Sequence, residues 1–249
     1  PQPAQRWRIA RLERYDAGSV VNAAHWPLEL GDIFETMNLG TDDDQTESRI
    51  FILLAQPCDL MVRREGKRSA KSATLVQVTF PATASDSPDE RASFELDYFD
   101  PESGKIAFAK FRSAYQISTD VLDLCVLHED GSCALDPAHM PTGALHAPWQ
   151  KRFAVIQNVY SNHSKNICQI QESVGANKLS SAATQYLERS LAARITQSSL
   201  NIKFTYEPGG AFKFGLRRIG RFRQPGATAL LSQYVAFLSR NAAEHDFAK

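Results

Sequence analysis

Gln56-Pro57-Cys58-Asp59-Leu60 gathers an amide, a thiol and a carboxylate where an apolar run ends. Proline cannot donate to a sheet ladder, so a strand must stop or bulge at Pro57. A thiol there suggests a cysteine nucleophile or a polar pocket. Nucleophilic cysteine needs a base or a positive dipole beside it to form thiolate. His25, His128, His139, His146, His163 and His245 are available, but linear order sets none of them next to Cys58. The competing reading is a buried structural thiol, with Asp59 pairing turn amides or Arg63.

Two other constellations carry metal chemistry in outline. Cys125, His128, Cys133 and His139 are soft ligands at spacings that could wrap a tetrahedral zinc. The same stretch reads as a hairpin, in which Cys125 and His128 would face opposite sides. Glu65-x-Lys67 after Asp59 has the residue types of a metal-dependent nuclease, yet both acids sit around one charged turn instead of on separate strands. No metal and no cofactor is therefore expected.

The strongest electrostatic feature is Lys213, Arg217, Arg218, Arg221 and Arg223, interleaved with Phe212, Phe214, Ile219 and Phe222. A helix over 179–197 followed by an arginine-bearing hairpin has the order of a winged-helix wing, whose guanidinium groups could reach phosphates. Alternatively the strip is an ordinary strand pairing with Glu207, Asp246 or an acidic protein partner. No phosphate-binding loop, dinucleotide fingerprint or nucleophile elbow occurs, which disfavours ATP hydrolysis, dinucleotide binding and α/β-hydrolase chemistry.

These groups need a frame, and 249 residues with 43% apolar content supply one. The 28 basic and 28 acidic side chains cancel, which argues against a general nucleic-acid coat or a membrane-surface protein and leaves room for a local patch. No apolar run reaches the roughly 18 residues of a membrane span. Four cysteines without staple-like spacing suit free thiols in the cytoplasm. The chain starts at Pro1 with no leader, so it is expected to be a piece of a longer polypeptide whose neighbouring domains are missing.

Residues 1–28 fit an edge strand or a short helix, and Gly31-Asp32-Ile33-Phe34 starts a strand. Asp42-Asp43-Asp44 marks a solvated loop before the 49–55 strand, whose six consecutive apolar positions imply burial on both faces. Further strands are expected over 73–80, 94–99 and 105–111, and a hairpin over 121–135 around Asp130-Gly131. Residues 81–91 read as a loop, and 136–148, with three prolines, as a domain boundary. Beyond it come a strand over 153–160, the 179–197 helix, a hairpin over 201–216, and a helix opened by Pro225. The expected architecture is α+β: a β-rich, barrel-like domain over 1–148, then a smaller α+β domain over 149–249 in helix-hairpin-helix order.

Gly31-Asp32-Ile33-Phe34, the 50–55 strand and 75–80 together resemble the opening of PemK-type toxin domains, and 114–122 is similar to the segment before that family's last helix. The resemblance spans about residues 29–124. It implies an SH3-like barrel of RNA-cleaving ancestry, with Arg112 and Ser113 matching the family's catalytic Arg and hydroxyl. The family's Arg-Pro entry to its second strand is missing. The expectation is thus a non-catalytic sensing or interaction module of a larger bacterial regulatory or antiviral-defence protein, touching nucleic acid or an acidic partner through the basic hairpin. A PemK-like ribonuclease and a Cys58-dependent enzyme are the alternatives.

Overall fold

The computed structural model describes residues 2–10, 14–39, 48–81, 89–100, 104–136, 145–177, 180–200, 202–207 and 211–247. The side chains of 3, 173–177, 181, 184, 185, 188, 189, 192, 207 and 241–247 are outside the description. The Asp42–Asp44 loop, most of the 81–91 loop, most of the 136–148 boundary including His139, and the 208–210 turn lie outside the described residues.

The apolar run becomes β3 (Ile50–Leu54), with Phe51, Ile52, Leu53 and Leu54 all buried. Alternation sends Phe51 and Leu53 into one core and Ile52 and Leu54 into another, so β3 separates two hydrophobic clusters. β3 pairs antiparallel with β2 (Asp32–Thr36) and β4 (Ser72–Thr79). The ladder continues through β6 (Ala107–Ser118) to β5 (Ser93–Leu96). On the other side β2 meets β9 (Ala211–Phe222), which also pairs β1 (Tyr15–Ala17), β7 (Ser132–Leu135) and β8 (Phe204–Glu207). The order β1-β9-β2-β3-β4-β6-β5 makes one curled antiparallel sheet, half a barrel. Its ends approach where Tyr15 Oη donates to Asp97 O at 3.0 Å and the Tyr15 and Phe99 rings meet edge-on at 5.6 Å. β9 thus draws the 211–222 stretch between strands from the start of the chain, so both expected domains contribute to one sheet.

Seven helices accompany the strands among the described residues. Helix α1 (Pro3–Ile9) and α2 (Gly18–Ala23) flank β1, so residues 1–28 hold both structures entertained for them. The short α3 (Pro57–Leu60) ends the β3 exit. The Val121–Leu127 run, expected as a hairpin strand, is instead α4 (Thr119–Leu124) and a turn, with the Ser118 hydroxyl accepting from Asp120 N. A run buried at every position carries no periodicity, so apolar composition alone cannot separate helix from strand. The 153–160 strand is likewise replaced by α5 (Ala147–Asn177), whose Trp149, Phe153, Ile156, Tyr160 and Ile167 are buried at helical spacing. The last two helices, α6 (Ser181–Thr196) and α7 (Gly226–Phe247), match their expectations closely. Tyr186 on α6 is 71% exposed. Helices α4 and α5 cover one core, and Ala227, Leu230 and Phe237 of α7 fill the other. No helix among the described residues is long and apolar enough to cross a membrane.

Candidate functional site

Of the strip expected to face phosphates, Arg218 and Arg221 are turned inward, Arg223 is half-buried, and Lys213 and Arg217 are exposed. In a regular strand Arg218 and Arg221 would point to opposite faces. A bulge between the Ile33–Gly220 and Phe34–Arg218 pairs inserts Ile219 and reverses that parity, so both arginines converge on Asp32. Asp32 Oδ1 accepts from Arg221 Nε at 2.5 Å and Oδ2 from Arg218 Nη1 at 3.3 Å. Arg218 has no exposed surface and also donates to Asn22 Oδ1 at 2.6 Å and Trp26 O at 2.8 Å. Arg221 donates to Glu29 at 2.7 Å and Pro27 O at 2.6 Å, with its guanidinium over the Trp26 ring. Burial pulls Arg221 toward neutrality, but Asp32 and Glu29 overcome it and raise its pKa above the ordinary arginine value. Arg217 pairs with Glu35 opposite it on β2, and Arg223 Nε donates to Asp16 at 2.8 Å. Lys213 is exposed. The acids that hold the arginines are therefore Asp16, Glu29, Asp32 and Glu35; the side chains of Glu207 and Asp246 are outside the description.

Gly31 sets Asp32 in place. Its φ of +92° is a left-handed conformation, and a Cβ there would lie 2.3 Å from Phe222 O. Its N–H donates to Leu53 O at 2.9 Å and its carbonyl accepts from Phe222 N at 2.8 Å, which clamps the start of β2 between β3 and β9.

A second ion cluster joins α4, α5 and the 61–71 loop. Asp123, fully buried, accepts from Arg152 Nε at 2.7 Å and from Arg68 Nη2. Arg152 also pairs with Asp120. Desolvation works against the Arg152 charge, while Asp123 and Asp120 outweigh it and raise its pKa. Arg68 is buried over the Trp149 ring, with Nε and Nη1 unpartnered. Sequence reasoning missed this cluster. The available signal was a carboxylate, Asp123, inside an apolar run, where an unpaired charge is prohibitively costly.

Nearby, burial and then Cys125 push the Cys133 thiol well up, so it stays protonated and donates to Val121 O at 3.1 Å. Burial likewise raises Tyr160, whose hydroxyl is unpartnered. Burial and then Arg194 lower His163 from 6.5, against an upward pull from Asp120. The unfolded chain then takes up the proton first, and stability falls as pH drops through about 6.5. A His163→Gln variant is expected to lack that step in acid melts followed by circular dichroism.

Among the described residues, which exclude His139, the zinc ligands are not brought together as a metal site. Cys125 and Cys133 are buried, and His128 Nε2 is 2.9 Å from Ala134 O. No group of three or more His, Cys, Asp or Glu among the described residues could hold a metal ion. Cys58 is exposed on α3, not buried as the bland reading had it, and its one described partner is Gln56 Oε1 at 3.7 Å. Half-buried Asp59 lends its carbonyl to Ala70 N at 3.3 Å. Glu65 and Lys67 flank Gly66, which is held against α5: a Cβ at φ +76° would be 2.6 Å from Arg152 N.

Arg112 and Ser113 sit on a bulge of β6, where Gln77 opposes Lys110 but Val76 opposes Ala114. Arg112 and Asp89 are 4.0 Å apart, both largely exposed, on a cleft of about 420 Å³ that also touches Phe80, Pro81 and Lys110. Nothing described positions the Ser113 hydroxyl beside a base.

Compared with known proteins, the chain matches no family model, no curated protein and no solved structure.

Proposed function

We propose that this chain is a non-catalytic sensing or interaction module that contacts nucleic acid, built on a curled sheet read as an SH3-like barrel. What supports the reading is the way its cations are divided. Arg68, Arg152, Arg217, Arg218, Arg221 and Arg223 are each engaged by carboxylates. Arg63, Arg64, Lys67, Lys71 and Lys151 stand exposed without any described carboxylate partner. Internal pairing rigidifies the frame, and the free cations remain for phosphate. Fluorescence anisotropy with labelled single- and double-stranded oligonucleotides tests it. Binding is expected to weaken steeply with salt, since neutralised phosphates release counterions. No binding at low ionic strength would remove the reading. Cys58→Ala is expected to bind as the parent chain does.

A second reading, a PemK-like ribonuclease using Arg112 and Ser113, draws support from the cleft beside Arg112. Under it, labelled RNA is cut and Arg112→Ala abolishes cutting. RNA left intact by the pure protein after long incubation disposes of it.

A further inference from the structure

We propose that the phosphate-contacting element is the basic turn over 63–71 with the adjoining start of α5, and not the β9 strip. This rests on the reading of the chain as a nucleic-acid-contacting module. Arg63, Arg64, Lys67, Lys71 and Lys151 are all exposed, and no ion pair is described for any of them. Arg63 alone makes a described side-chain bond, to Ser69 Oγ at 3.4 Å.

The turn is fixed before any ligand arrives. Arg63 N donates to Lys67 O at 2.7 Å and Gly66 N to Arg63 O at 2.9 Å, closing the turn on itself. Gly66 rests directly against the Lys151–Arg152 backbone, which brings Lys151 to its side. Arg68 anchors the loop in Asp123, and Thr119 takes both Ala70 O (2.9 Å, from Oγ1) and Lys71 O (3.0 Å, from N). Glu65 and Asp59 are the acids in or behind it, so the patch carries a surplus of three positive charges, five less two.

Its chemistry selects the partner. Protein interfaces centre on aromatic and apolar groups and are depleted in lysine. Membrane-surface elements need an apolar face to insert. Here Met61 is the one large exposed hydrophobic near the turn among the described residues. A preordered set of lysine and arginine heads with little apolar surface fits a nucleic-acid backbone, whose phosphates are read by charge without base contacts.

The test compares the parent chain, Arg64→Gln/Lys67→Gln and Lys213→Gln by anisotropy on a labelled single-stranded oligonucleotide across salt. Thermal melts check that both variants stay folded. The turn variant is expected to bind about tenfold or more weakly at low salt. Its log–log salt slope should shrink by roughly 1.4, two contacts at about 0.7 each for single strands. Lys213→Gln is expected to bind unchanged. A turn variant that binds like the parent overturns the turn as the site and leaves the module reading standing. A parent chain that binds no oligonucleotide overturns the module reading itself. Turn-dependent capture of polyglutamate or anionic vesicles, with no nucleic-acid binding, overturns the choice of nucleic acid as partner.

Discussion

Asp32→Ala is expected to lower the unfolding free energy by about 3–5 kcal/mol, because it strands a buried charge pair on one side. Arg218 has no exposure to water and Arg221 almost none, so neither guanidinium can recover solvation when the carboxylate leaves. Both also hold carbonyls of the 21–27 segment, at Val21, Trp26 and Pro27. The loss should therefore spread into α2 and the loop after it. Urea unfolding reads the change as a shift of midpoint at constant slope. A loss below about 1 kcal/mol would mean that the pair contributes no more than a surface contact does. Replacing Arg218 by Met together with Asp32 by Leu should recover part of the loss, since buried ion pairs compare poorly with well-packed apolar side chains.

The second large effect is at Asp123. Asp123→Ala leaves Arg68 without its carboxylate and Arg152 with only half-exposed Asp120, and is likewise expected to cost about 3–5 kcal/mol. Arg68→Met should change stability by about 1 kcal/mol or less. Arg68 makes one charged bond while two of its buried N–H groups have no partner, so its removal relieves a desolvation penalty as it loses a contact. Hydrogen exchange gives a local reading. In Asp123→Ala the amides of Gly66, Ala70 and Thr119, which tie the 61–71 loop down, should exchange much faster than those of β3 and β4. Equal protection would show that the loop is held by its backbone bonds alone.

Those two carboxylates show how far the linear chain can be read. Gly31-Asp32 stands out as a strand start, and β3 is legible as a doubly buried strand, because six consecutive apolar residues leave no solvent face. The α6 boundary at Ser180, the β8–β9 hairpin and the helix after Pro225 follow from local rules of capping, turn chemistry and periodicity. The segments that misled do so for different reasons. The 121–127 run is buried at every position and so shows no periodicity, whereas the 153–160 run is too short to fix a period and becomes helical with Phe153, Ile156 and Tyr160 buried and Ala154 and Asn158 exposed.

Among the candidate site residues, the sequence by itself determined that cations are concentrated at 63–71 and at 213–223. Which of these cations face solvent without a carboxylate was a matter of tertiary structure. A strand's two faces alternate, and one bulged residue, Ile219, exchanged them, bringing Arg218 and Arg221 onto an aspartate that lies 186 and 189 positions away. The 63–71 cations stayed outside because Gly66 packs its backbone on α5 and Arg68 alone turns inward. Charge content is local information. Charge compensation depends on partners remote in the chain, and it is the fold that brings them within a few ångströms.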